Sequence, residues 1–233
     1  MFLGYYDYTC FLTYLSLLSA GLGIFVTLHG AGHPYLGIFF LMFSGLCDAF
    51  DGKVARTKKD RSEAEVKFGI QIDSLSDLVA FGVLPACIGD ALVRVSEFIP
   101  DVPRSPDATK FENSLCVLLF TIMLLYILSA MIRLAYFNVD EEERQKKEEG
   151  TRLFYSGVPV TSASLVFPTV MLFQYIVPVD ITMVYFAFMI VLGFAFLSKI
   201  QIKKPTFKGL MIMVGIGVVE VVLLFIAWNM NQR

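Results

Sequence analysis

Charge in this chain is confined to a few clusters. Between them the sequence runs apolar for about 20 residues at a time, enough to cross a hydrocarbon core of roughly 30 Å as helix. Of the 233 residues only 17% are charged and 56% are hydrophobic, where a soluble domain has about a quarter charged; mean hydropathy is +0.67. Backbone in lipid must satisfy its own hydrogen bonds, and continuous apolar runs do this as helices rather than as alternating barrel strands. The sequence therefore predicts an all-α integral membrane protein, a polytopic helical bundle making one membrane domain over 1–233. Spans are expected near 8–29, 35–55, 70–93, 112–137, 157–177, 180–199 and 208–229, the fifth and sixth parted by a tight turn at Pro178-Val179-Asp180. There is no internal repeat, and the N-terminus lacks the positive region of a cleavable signal peptide. Cys10, Cys47, Cys87 and Cys116 are scattered through apolar runs and read as small buried residues. Nucleic acid is not expected as a partner.

Lys and Arg set the orientation. Loop 53–69 carries Lys53, Arg56, Lys58, Lys59, Arg61 and Lys67; loop 138–156 carries Arg144, Lys146, Lys147 and Arg152; loop 199–208 carries Lys199, Lys203, Lys204 and Lys208. Alternating spans put all three on one face, expected to be cytoplasmic in the cell membrane, with an irregular outer loop at 94–112 containing Pro100, Pro103 and Pro106. Lys58, Lys59 and Arg61 read as orientation determinants or lipid-headgroup contacts. Asp140-Glu-Glu-Glu-Arg144 reads as a solvated helix end or loop.

Carboxylates within spans are costly and mark function by default. Asp48, Asp51, Gly52 and Ala55 lie three or four apart on one stripe at the charged end of the second span; Gly69, Asp73 and Asp77 form another at the start of the third. The intervening loop returns the chain to the same face, so four carboxylates crowd one volume. Lone aspartates there could cap helix ends or pair with loop lysines, but four at this spacing repel one another unless cations are present. Oxygen-only ligands suit hard ions such as Mg²⁺ or Mn²⁺ and argue against zinc. Two such ions beside Arg56 can hold a diphosphate. The small residues Gly52, Ala55 and Gly69 leave room for a nucleotide between helices.

These residues spell D-x-x-D-G-x-x-A-R and then G-x-x-x-D-x-x-x-D over 48–77, across spans two and three. The pattern resembles the signature of the CDP-alcohol phosphatidyltransferase family. Twelve residues part Arg56 from Gly69, more than the family's usual eight or nine, and are expected to lengthen the loop. The resemblance implies a six-span core, to which the last span here would be an addition, and a homodimer. It implies that Asp48, Asp51, Asp73 and Asp77 ligate two metal ions, with Asp77 the general base, and that Asp48, Gly52, Ala55, Arg56 and Gly69 bind the nucleotide and diphosphate.

Phe81-Gly82-Val-Leu-Pro85-Ala86, Arg133-Leu-Ala-Tyr-Phe137-Asn138 and Tyr155-Ser156-Gly157-Val-Pro159 are similar to segments of the family's phosphatidylserine synthase branch, although Tyr136 stands where that branch has a second Arg. The resemblance implies CDP-diacylglycerol and L-serine as substrates, with acceptor contacts from 133–138 and 155–159. Serine carries a carboxylate, and an Arg fork suits one. Arg133 is the candidate, with Asn138, Ser156, Gly157 and Pro159 beside it; otherwise Arg133 is an interfacial anchor. Inositol phosphate or glycerol phosphate are alternative acceptors, each wanting a further basic pocket. A cation transporter would want acids along the whole path, and away from the cluster Glu220 is the acid set deep in a span. His29 and His33 read as interfacial residues, Thr13 and Ser16 as packing residues.

Overall fold

The computed structural model describes residues 4–29, 34–96, 99, 110–147, 154–176, 180–203 and 206–231. Its helices are α1 (Phe11–Leu28), α2 (Pro34–Ala55), α3 (Glu63–Asp77), α4 (Leu84–Val95), α5 (Lys110–Lys147), α6 (Ala163–Ile176), α7 (Thr182–Leu197) and α8 (Phe207–Asn231). Short strands β1 (Phe154–Ser156) and β2 (Gln201–Lys203) pair antiparallel. Among the described residues five helical stretches are long and apolar enough to cross a membrane: Tyr8–Leu28, Pro34–Ala55, Glu63–Val95, Ser114–Arg144 and Phe207–Ala227. With the shorter apolar helices α6 and α7, this is a polytopic all-α membrane protein. His33, Arg152, Pro178, Lys204 and the outer prolines Pro100, Pro103 and Pro106 lie outside the described residues.

Several boundaries differ from the sequence expectation, each for a local reason. The stretch after Arg56 does not simply lengthen a loop. Ser62 and Glu65 form a capping box, Ser62 Oγ accepting from Glu65 N at 3.2 Å and Ser62 N donating to Glu65 Oε2 at 2.7 Å, so α3 begins at Glu63 rather than near 70. The acidic run at 140–144 is helical, and α5 continues to Lys147, helped by the Arg144–Glu141 and Lys146–Glu142 pairs. Spans five and six are shorter than expected. α6 and α7 have 14 and 16 residues, about 21–24 Å of helix; α6 starts late because Val160–Ser162 forms a 3-10 turn after Pro159. Asp180 starts α7 by accepting from Thr182 N at 2.8 Å.

In lipid, helices associate through close packing of small residues rather than hydrophobic exclusion. α1 and α2 follow this rule. Ser44 Oγ donates to Ser16 O at 3.0 Å and Ser19 Oγ to Phe40 O at 2.9 Å, so Ser16 packs as expected. A Cβ on Gly37 would fall 2.3 Å from Thr27 Oγ1, and one on Gly45 2.3 Å from Ser164 Oγ of α6.

Helix α3 passes into α4 through a π-helical segment, Leu78–Val83, directly after Asp77. Pro85 has no N–H to donate to the carbonyl four residues back, that of Phe81. The buried Tyr126 hydroxyl of α5 donates to that carbonyl at 2.8 Å, and Tyr185 of α7 to Pro85 O at 2.8 Å. These tyrosines belong to an aromatic core in which Phe167 stacks on Tyr185 at 4.6 Å between centroids. Tyr126→Phe should leave a buried carbonyl unpaired, costing about 1 kcal/mol and lowering Tm by roughly 2–4 °C. Thermal unfolding of detergent-solubilised protein measures it; an unchanged Tm would mean that water or relaxed backbone replaces the bond.

Candidate active site

About two turns separate Asp48 from the end of α2, and Asp77 is the last residue of α3 before the π segment, so both helices deliver carboxylates to the same end of the bundle. Oxygens of Asp48, Asp73 and Asp77 lie within 4.8 Å of one another. Asp51 faces Asp73 as well, and Thr13 Oγ1 of α1 approaches Asp51 Oδ2 at 3.5 Å, the outer limit of a hydrogen bond. Thr13 therefore reaches the cluster, a contact not separable from packing in the sequence. Ser76 Oγ fixes α3 to α1 by donating to Thr13 O at 3.1 Å. Asp51 and Asp77 are buried; Asp48 and Asp73 are half-buried.

The glycine and arginine of the first motif sit toward solvent. Gly52 and Arg56 are exposed and Ala55 is half-buried. Gly69 leaves room for Arg61, whose Nη2 lies 2.6 Å from where a Gly69 Cβ would stand and donates to Glu65 O at 3.1 Å. Lys58 differs from the sequence expectation. It is an internal clamp, donating to Asp7 at 2.8 Å and to Glu65 at 3.2 Å. Its hydrogen bond holds the Asp7 carboxyl below the usual carboxylate range. Tyr8 OH and Thr57 Oγ1 are 3.1 Å apart, and Tyr5 meets Phe68 edge-on. The chain before α1 is thus strapped to the segment linking α2 and α3.

On the other side the carboxylates border a cavity of about 700 Å³ between α2, α5, α6 and α8. Asp48, Asp73, Asp77 and Arg133 mark its polar end; Met42, Leu165, Val214 and Val221 are typical of the rest. Arg133 is buried, its Nε donates to Val158 O at 3.3 Å, and its guanidinium lies 5.2 Å from the Phe137 ring centre. Val158 is held there by its neighbour. Gly157 adopts φ +80° and donates to Ile200 O at 2.7 Å, while Val158 N donates to Ala195 O at 3.2 Å. Pro159 also lines the cavity. Asn138 instead ties α5 to α3, its Nδ2 donating to Ser74 Oγ at 2.7 Å. Ser156 pairs with Gln201 in the small sheet, which joins the ends of two basic loops. His29 is exposed, its Nδ1 near Phe25 O, remote from the carboxylates in sequence and contacts.

A family model described as CDP-alcohol phosphatidyltransferase matches residues 8–230. The chain is similar to a Saccharomyces cerevisiae protein named CDP-diacylglycerol–serine O-phosphatidyltransferase, 31% identical over 143 residues, or 60% of this chain and 43% of that one. It is also similar to a Helicobacter pylori protein of the same name, 25% identical over 194 residues, or 82% of this chain and 69% of that one. The matches thus span under half of the yeast relative and about two thirds of the bacterial one.

Proposed function

Since the chain belongs to the CDP-alcohol phosphatidyltransferase family, we propose that it transfers the phosphatidyl group of CDP-diacylglycerol to L-serine, giving phosphatidylserine and CMP. The observation that carries this reading is the meeting of three carboxylates and one buried arginine at the polar end of an apolar cavity. The donor would enter laterally from the bilayer, its diphosphate at the carboxylates and its acyl chains in the cavity.

The donor set fits a hard divalent cation, since it offers carboxylate oxygens without imidazole or thiolate. Asp48, Asp51, Asp73 and Asp77 would hold two ions, Mg²⁺ or Mn²⁺. Bound there, they would neutralise the diphosphate and the charge developing at the transferring phosphoryl group. Arg56 would contact the diphosphate, with Gly52, Ala55 and Gly69 beside the cytidine. Asp77 orients the serine hydroxyl and takes its proton as the oxygen attacks the lipid-side phosphorus. The new oxygen–phosphorus bond forms as the bond to CMP breaks, and the proton leaves from Asp77 to solvent.

Arg133 receives the serine carboxylate, aimed by Val158 O at its Nε. Arg133→Lys loses the planar fork. It should raise KM for serine by about 10- to 100-fold, the equivalent of a charge-assisted pair, with a smaller change in kcat; initial rates against serine concentration measure it. Among the described residues lining the cavity, Arg133 is the one basic side chain, which disfavours a phosphorylated acceptor. Serine, inositol phosphate and glycerol phosphate offered separately to the same membranes test this: product with serine alone is expected, and product with either phosphate instead would overturn the acceptor. The grouping of basic loops supports a cell-membrane enzyme with this site facing the cytoplasm, and the family resemblance supports a homodimer.

A further inference from the structure

Helix α8 forms one wall of the cavity through Leu210, Val214, Gly217 and Val221. These positions recur every three or four residues and so share one face. Most of α8 is exposed on the outside of the bundle; Glu220 and Leu224 are buried among its described side chains. Among the described residues two polar contacts hold it. At the carboxylate end Lys53 of α2, whose Nζ is buried without a hydrogen-bond partner among the described residues, stands 4.0 Å over the Phe207 ring. Deeper, Thr169 Oγ1 of α6 donates to Glu220 Oε1. Glu220 is 6% exposed and does not line the cavity. A carboxyl at that depth is costly to keep in a span, and the catalytic scheme above has no use for it.

We propose that Glu220 is a positioning residue: its bond to Thr169 sets α8 as a fixed wall that selects the acyl chains of the lipid donor. This rests on the donor's chains occupying the cavity, as proposed above. Val221 lies fourteen residues beyond Phe207, about 21 Å along the helix. Only a long chain running down from the carboxylates reaches that part of the wall. A hexanoyl chain stays near the polar end and does not test it. The chemistry at Asp77 is the same for both donors, so the wall acts on their ratio.

The test is the ratio of kcat/KM for dioleoyl against dihexanoyl CDP-diacylglycerol, with serine saturating and metal present. Thr169→Val keeps the side-chain shape and removes the donor. The ratio should fall roughly three- to tenfold, as befits one interhelical hydrogen bond in a membrane. Glu220→Gln keeps an acceptor for Thr169 and should restore the wild-type ratio, which a purely charge-based role would not allow. Val221→Phe fills the deep cavity and should lower the ratio further. An unchanged ratio in either Thr169→Val or Val221→Phe overturns the proposal. So does a loss of both donors alike in Thr169→Val with an unchanged ratio in Val221→Phe. If the wild-type protein releases CMP from neither donor, the reading of the function fails instead.

Discussion

Asp77→Asn should lower turnover by about 10²- to 10⁴-fold, the contribution of a positioned proton acceptor, while the protein still inserts and folds. The substitution keeps the size of the side chain and one oxygen, so neither the buried position nor the packing of α3 against α1 changes. What it removes is a negative charge within 4.8 Å of Asp48 and Asp73 and the atom that would take the serine proton. The location makes the effect specific. Asp77 is the last α-helical residue before the π segment, and Tyr126 holds that segment through Phe81 O while Tyr185 holds the start of α4 through Pro85 O. The rim on which Asp77 sits is thus braced by α5 and α7. Conversion of CDP-diacylglycerol to phosphatidylserine in membranes of matched expression measures the loss. Near-normal turnover would remove Asp77 as the base.

Gly157→Ala should damage both stability and serine binding. The φ of +80° is left-handed, which disfavours an L side chain by about 1–2 kcal/mol. The added Cβ would also fall 2.8 Å from Phe196 O and 2.9 Å from Ser198 O, both backbone atoms at the end of α7, and 3.3 Å from Arg133 Nε. Relief requires moving the 155–159 segment, and with it the Val158 carbonyl that holds Arg133. The expected result is roughly 2 kcal/mol or more of lost stability together with a KM for serine raised about tenfold. Thermal unfolding and serine saturation curves on the same preparation check both. Wild-type values for both would detach this segment from the acceptor pocket.

The aspartate cluster was legible because helix geometry turns spacing into a face, and because carboxylates are conspicuous in apolar runs. Long spans were legible for the same reason. The start of α3 was written in Ser62 and Glu65, a cap-box spacing masked by the surrounding charges. The β1–β2 pairing could not be foreseen: two three-residue strands, some 45 residues apart, carry no periodicity. Lys58 has the same letter whether it faces water, a lipid phosphate or Asp7, and only the fold tells these apart. The cavity-lining face of α8 was invisible for a different reason. In a helix apolar on every side, residues against a cavity look like residues against lipid.

The proposed reaction needs carboxylates from α2 and α3 acting together around divalent ions. Its most direct test is purified protein given CDP-diacylglycerol and L-serine, stripped with a chelator and then titrated with Mg²⁺ or Mn²⁺. CMP and phosphatidylserine should appear in equal amounts, vanish on stripping, return with either ion, and fail to return in Asp48→Asn or Asp73→Asn. Phosphatidylserine formed at the same rate after stripping, or in those variants, would contradict the account.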